Sequence, residues 1–238
     1  MQNKKNWKDI WSKKAIKSDK EIKLSDLIKL NGFDTGVGSY SEKNWMMMVE
    51  DCIKKIKVEN ESCIFEIGCG SGAFLYAASK LKKIQCQGID YSESLIEIAK
   101  KVIPNGKFQV LEAIDTEIKE ESIDAVISHS VFQYFPNLNY AFKVIQKIIP
   151  SIKKGGSICL MDLNDVEKKE IYHKDRSLNY ESSLQYEEAF KGLDHLFFSK
   201  RKLEDYLRKL GLNEISTFKH AYKNYGNSKY RFNIIGRK

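Results

Sequence analysis

The sequence predicts an α/β domain, a mostly parallel sheet with helices packed on both faces. Three observations predict it. A short apolar run at 64–67 meets Gly68, Gly70 and Gly72 at alternate positions and then a helix-like pattern, which reads as strand, tight turn and helix start. From Ser62 onward, short β-branched runs alternate with segments of helical period, the pattern of strands joined by crossover helices. Asp90 ends the next apolar run, about 20 positions beyond the turn, where a ribose hydroxyl pair needs a carboxylate acceptor.

The elements follow in chain order. Trp7, Ile10, Trp11 and Ala15 fall at helical spacing among lysines, so a short amphipathic helix is expected to cover the cleft or the core. Residues 21–60 read as two helices around a turn-rich loop, 31–39. Ser41 caps the second helix, whose stripe is Trp45, Met46, Val49, Cys52, Ile53 and Ile56, and the run Met46-Met47-Met48 reads as core filler. Strand 63–67, helix 72–81, strand 85–89, helix 92–102 capped by Ser92, and strand 108–111 follow. A short helix is expected at 116–121, then strand 123–128 and helix 138–149. Lys154-Gly155-Gly156 reads as a turn before strand 157–163. Residues 164–198 are polar and rich in tyrosine and histidine, and a partly helical insertion over the cleft mouth is expected. Ser199 caps helix 200–210, Gly211 stops it, and strands 214–221 and 229–236 form an antiparallel hairpin at the sheet edge.

The whole chain, 1–238, is expected to be one domain: a helical cap (1–60), a cofactor-binding half (62–163), a substrate-side insertion (164–198) and a closing helix and hairpin (199–238). Hydrophobic residues make up 42% of it, enough for a sizeable core. No run approaches the roughly 18 apolar residues of a membrane span, and no apolar block follows the Lys-rich start, so neither a membrane nor a signal peptide is expected. The five cysteines form no CxxC pair and are odd in number, which reads as free thiols in a reducing cytoplasm and no zinc. The net charge of +8 comes from lysines spread over many segments. That favours solvated faces over a nucleic-acid surface and leaves weak support for an acidic ligand.

The glycine turn differs from the dinucleotide fingerprint: position 73 is Ala73 and the third glycine falls early. Glu66 stands just before Gly68, where a carboxylate would repel a pyrophosphate but suit a cationic ligand. With these residues the chain resembles the class I S-adenosylmethionine-dependent methyltransferases, from about Glu42 to the C-terminus. Glu66-Ile67-Gly68-Cys69-Gly70-Ser71-Gly72 is similar to the family's first motif, and Asp90-Tyr91-Ser92 to the second. The resemblance implies that Asp90 holds the ribose hydroxyls, that Tyr91 lies against adenine, and that Glu112 and Ala113 meet the adenine edge and ring, with Asp115 a nearby competitor. Residues 128–135, beginning Ser128-His129, resemble the segment after strand four that borders the methyl donor. Residues 198–203, leading to Leu210-Gly211-Leu212, resemble the family's late helix. A Rossmann-like three-layer sandwich is implied, with a seven-stranded sheet whose last strand is antiparallel.

His129, expected just past strand four, is the candidate base, where open α/β sheets place their ligands. Trp11, Tyr40, Asp162 and Tyr180 are candidate substrate contacts. The implied reaction is in-line displacement at a sulfonium methyl, with a neutral leaving group that needs no acid. The family's Asn-Pro-Pro-Tyr-like amine motif is absent after strand four. His129 stands where catechol-type members carry a metal-binding acid, although Asp162, Asn164 and Asp165 follow strand five, so no metal is expected. No RNA-binding module or basic-aromatic platform is visible. Residues 225–233 resemble the endings of bacterial methyltransferases associated with surface glycans. The expected acceptor is therefore a small molecule: a hydroxyl of a sugar, sugar nucleotide or phosphorylated metabolite. An RNA or protein acceptor is the alternative, and a small amine or amide a lesser one. A non-catalytic binding protein and a nicotinamide oxidoreductase are disfavoured by the intact glycines with Asp90 and by Glu66. The sequence leaves monomer and homodimer open.

Overall fold

The computed structural model describes residues 6–14, 21–34, 38–220 and 225–238. The expected Ala15 contact and the end of strand 214–221 lie outside them. The helices α1 (Trp7–Trp11), α2 (Leu24–Leu30) and α3 (Glu42–Lys55) precede β1 (Cys63–Ile67). Then come α4 (Ala73–Leu81), β2 (Gln85–Asp90), α5 (Glu93–Val102), β3 (Lys107–Val110), β4 (Ile123–His129), α6 (Leu138–Ile148) and β5 (Ile152–Asn164). The insertion holds α7 (Lys169–Ser177) and α8 (Ser183–Phe190), and α9 (Lys200–Lys209), β6 (Asn213–Phe218) and β7 (Arg231–Arg237) close the chain.

The seven strands form one sheet in the order β3-β2-β1-β4-β5-β7-β6. The first five pair in parallel, and β7 runs antiparallel to both β5 and β6. This is the Rossmann-like arrangement expected, with β6 rather than β7 at the edge. Alternate strand residues feed two cores, as the period of two demands. Ile64, Ala125, Ile127 and Met161 join the core under α2–α5, while Phe65, Ile67, Val126 and Leu160 join the one under α6 and α9.

Several local expectations are corrected. β5 runs straight through the expected turn at 154–156, because Ile152 already pairs with Ile123 and Gly155 N–H donates to the Lys238 carbonyl (2.7 Å). Gly155 takes φ 78° there, and a bulge absorbs the extra length. No helix spans 116–121; a single 3₁₀ turn, Ala113–Asp115, precedes it, closed by the Thr116 hydroxyl on the Ala113 carbonyl (2.8 Å). Of the three methionines Met48 is buried in the core and Met46 packs partly buried against it, while Met47 is 47% exposed. Ile10 points to solvent, so α1 does not present the four-residue face expected. Ser41 and Ser199 cap as expected. Ser92 precedes α5 but gives it no side-chain cap. All five cysteines are free and buried. No helix among the described residues is long and apolar enough to cross a membrane.

Candidate active site

β1 lies between β2 and β4, so the chain leaves β1 toward one edge and returns at β4 to build the other. Open α/β sheets bind ligands outside the strand ends at such a reversal. A cavity of about 750 Å³ opens there, walled by Gly68 and Gly70 after β1, Asp90 at the end of β2 and His129 at the end of β4. Gly68 and Gly70 need positive φ (69° and 54°), which other L-residues rarely adopt. They also need to lack a side chain: a Cβ would come within 2.5 Å of Val131 Cγ2 at Gly68 and of Asn31 Oδ1 at Gly70. Asn31, at the end of α2, clamps the turn by accepting from the Ser71 N–H (2.9 Å) and hydroxyl (2.8 Å).

The Asp90 carboxylate is held at the turn. Oδ2 accepts from the Gly70 N–H and Oδ1 from the Ser92 N–H, both at 2.9 Å. Burial raises its pKa, and these N–H groups oppose the rise. Each oxygen keeps acceptor capacity for a hydroxyl pair. Tyr91, Leu111, Ala113, Ile114 and Tyr140 make an apolar and aromatic wall suited to a flat base. Tyr140 fixes that wall by accepting from the Ile114 N–H (3.2 Å). Glu112 also borders the cavity, paired to Lys8 at 2.6 Å.

Glu66 is buried, and its Oε2 meets no hydrogen-bond partner among the described residues. Burial, with the nearby Asp90 charge adding to it, pushes the carboxyl well above the usual carboxylate range. A buried acceptor with no donor is what a cationic ligand, or the water bridging to one, would complete. This is the observation on which a sulfonium amino-acid nucleoside fits the site.

Trp11 and His129 line the cavity. His129 is the last residue of β4, not a residue beyond it. Its ring stacks on Phe33 (5.0 Å between centroids) and meets Trp45 edge-on (5.2 Å). Burial, with His220 and Arg231 adding to it and Asp162 opposing, lowers its pKa to about 3. The imidazole is therefore neutral at ordinary pH, and its buried Nε2 has no hydrogen-bond partner among the described residues.

Other expected site residues stand outside the cavity wall. Glu66 and Gly72 act behind it, Gly72 as the positive-φ residue that starts α4. Cys69 packs beside Gly88, where a Cβ would lie 2.9 Å from its sulfur. Ser92 contributes its N–H to Asp90, while its hydroxyl donates to the Trp11 carbonyl (3.4 Å). Ser128 donates to the Ile67 carbonyl (3.0 Å), tying β4 to β1. Tyr40 is buried among Phe33, Trp45 and Tyr225. Tyr180 packs on Tyr186 and Phe190 within the insertion. Asp162 is fully buried at φ 65°, in a register shift of β5 against β7. It pairs with Arg231 and accepts from Tyr225 Oη (2.8 Å), and His220 Nε2 lies 3.0 Å from its Oδ1. Although burial opposes it, Arg231 and His220 hold this carboxyl far below the usual range. It is an ion-pair centre rather than a substrate contact.

The sequence marks Trp7 only as part of a helix over the cleft or the core and Tyr134 only within the segment bordering the donor, and it singles out neither Asn31 nor Phe33 as a site residue, although all four line the cavity. Trp7 and Phe33 were visible only as helix-face or loop residues. Arg231 was passed over inside the C-terminal run. No spacing rule marks these residues, because each reaches the site from a different element.

The model for a methyltransferase domain matches residues 59–211. The chain belongs to the methyltransferase-domain family. The malonyl-[acyl-carrier protein] O-methyltransferase of Priestia megaterium is 27% identical over 142 residues, 57% of this chain and 51% of that protein. The ribosomal protein L11 methyltransferase of Caldanaerobacter subterraneus is 23% identical over 173 residues, 65% of this chain and 52% of the other. The chain thus spans about half the length of these curated relatives. Among solved structures, a SAM-dependent methyltransferase of Thermotoga maritima, described as a possible histamine N-methyltransferase, superposes with a TM-score of 0.57. It is 22% identical, covering 82% of this chain and 90% of that one, and so supports the methyltransferase fold.

Proposed function

We propose that this chain transfers a methyl group from S-adenosylmethionine to a small-molecule acceptor, a hydroxyl of a sugar, sugar nucleotide or phosphorylated metabolite. The donor is S-adenosylmethionine: Asp90 offers its free lone pairs to the ribose, the Tyr91–Tyr140 wall takes the base, and Glu66, buried behind the glycine turn, supports the cationic amino-acid part through the turn or a bridging water. When bound, this cofactor supplies an activated methyl whose leaving group is a neutral thioether. One observation carries the reading. A single cavity is lined by the glycine turn, Asp90 and His129 together.

His129 is suited to accept a hydrogen bond from a hydroxyl and to aim its oxygen. Its low pKa makes it a weak base, but a hydroxyl becomes strongly acidic as its oxygen acquires a methyl, so a weak base suffices. The enclosing aromatics keep water from the reacting atoms and hold the partners aligned, which can supply most of the acceleration.

The test is transfer of labelled methyl to a panel of sugars, sugar phosphates and sugar nucleotides, with amines, RNA and ribosomal protein alongside. Label is expected in a small hydroxyl compound. His129→Asn is expected to lower kcat roughly 10²-fold or more with donor affinity unchanged. In wild type, no loss of rate traceable to His129 is expected between pH 8 and 5. Label in RNA or protein alone, or a fully active His129→Asn enzyme, would contradict the proposal.

A further inference from the structure

A side chamber of about 190 Å³ adjoins the main cleft and shares Trp7, Asn31, Phe33, Ser130 and Tyr134 with it. Its volume leaves room for a group the size of a phosphoryl or a carboxylate. Its remaining wall is polar and cationic, with Arg176, His195, Tyr225, Asn227 and Arg231.

The two arginines differ. Arg231 is buried, and its charge is balanced by Asp162. Its Nη1 also donates to Tyr225 Oη (2.9 Å) and Ser130 Oγ (3.3 Å), and its Nε to Asn164 Oδ1 (3.1 Å). Nη2 has no hydrogen bond among the described residues. Arg176, on α7, has no carboxylate partner among them. Its guanidinium lies instead over the rings of Tyr172 (4.4 Å) and Phe190 (5.7 Å), which hold the planar fork in place. Among the described residues the chamber therefore carries one positive charge, that of Arg176, with no carboxylate partner.

His195 completes the wall. Its ring stacks on Trp7 (4.8 Å), and its Nδ1 lies 2.5 Å from Tyr172 Oη. Its Nε2 is buried and meets no partner among the described residues. Burial, with Arg231 and Arg176 adding to it, keeps the ring neutral. A neutral ring whose Nδ1 accepts from the phenol carries its proton on Nε2.

We propose that the side chamber holds an oxyanionic group of the methyl acceptor, a phosphate or a carboxylate, between Arg176 and Arg231 Nη2, with His195 on the chamber wall. The proposal rests on the methyltransferase reading of the main cleft. It gives the insertion a role: α7 brings the free cation that selects the acceptor, and the loop after α8 brings His195. Trp7 and Tyr134 stand between the anion and the cleft, so the atom to be methylated projects past them toward His129.

The test uses protein saturated with S-adenosylhomocysteine, titrated by calorimetry with inorganic phosphate and, in a second arm, acetate. Wild type is expected to bind at least one anion. Phosphate binding alone marks a phosphorylated acceptor, and acetate binding alone a carboxylated one. Arg176→Gln is expected to weaken that binding at least tenfold with S-adenosylhomocysteine affinity unchanged. Arg176→Lys should retain most of it, and Lys80→Gln, a remote surface change, all of it. Equal binding by wild type and Arg176→Gln, or no binding of either anion to S-adenosylhomocysteine-loaded protein, would overturn the proposal. Failure to bind S-adenosylhomocysteine would be seen before any anion is added, and would overturn the donor reading and this proposal with it.

Discussion

Glu66 shows most plainly how one side chain can be shaped for a ligand at the expense of the free protein. Its carboxyl is buried without a partner and its pKa is raised well above the ordinary value. The folded state thus keeps its proton to a higher pH than the unfolded chain does. Stability linked to this group is present at low pH and is lost as pH climbs from the unfolded carboxylate value toward the raised folded one. Glu66→Gln removes that loss. In the absence of ligand the variant is expected to melt a few degrees above wild type at pH 8, and the gain should shrink as pH falls toward the carboxylate range. Thermal denaturation over pH 5–8 checks this, and a gain independent of pH would refute it. The same variant should bind S-adenosylmethionine more weakly. Two residues near the site are strained in the left-handed region, Ser130 (φ 59°) and Asp162 (φ 65°). Such non-glycine outliers cluster where the surroundings over-determine the backbone. Here Arg231 binds both side chains at once.

Helix α1 is too short to be stable alone and is held as a strap across the cleft. The Trp7 Nε1–H donates to the Asp194 carbonyl (3.1 Å), Lys8 pairs with Glu112, and the Trp11 carbonyl accepts from Ser92. The strap thereby joins the insertion to the loops after β2 and β3. The Trp7 ring also packs on Tyr134 (4.7 Å) and His195 (4.8 Å), and such aromatic contacts contribute roughly 0.5–1.5 kcal/mol each. Trp7→Ala is therefore expected to speed S-adenosylhomocysteine dissociation roughly 2–10-fold, with little change in melting temperature. Stopped-flow release would show it, and an unchanged off-rate would remove the strap role. The elements themselves were legible because their signals are local. The strand 63–67 and the helix expected at 138–149, observed to end at Ile148, follow from apolar period and flanking turns. β5 was misread because Gly155 and Gly156 signal a turn locally, whereas their pairing with Lys238 comes from the far end of the chain. The donor side of the site was legible for the same reason, since Gly68, Gly70 and Asp90 belong to one strand-turn-helix-strand unit. The acceptor side was not. Arg176, His195 and Arg231 come from α7, a loop and β7, and only the packed fold brings them together.

At the scale of the whole molecule, the reversal of strand order at β1 fixes where the cleft opens, and everything chemical is arranged around it. The glycine turn and Asp90, the proposed ribose acid, lie on the β1–β2 side, His129 on β4, and the cationic chamber between β7 and the insertion. The net charge of +8 is a property of scattered lysines, whereas the charge proposed to select the acceptor is that of Arg176, which has no carboxylate partner among the described residues. The central claim is that this cleft is built for an adenosyl sulfonium ligand gripped by Asp90. Calorimetric titration of wild type and Asp90→Ala with S-adenosylhomocysteine tests it most directly, with the fold of the variant checked by thermal denaturation. A carboxylate taking two ribose hydroxyls is a charge-assisted contact of about 1.5–3 kcal/mol. Wild type is expected to bind one equivalent, and Asp90→Ala to bind about 10–100-fold more weakly. Equal affinity for the two proteins, or no binding by wild type, would contradict the account.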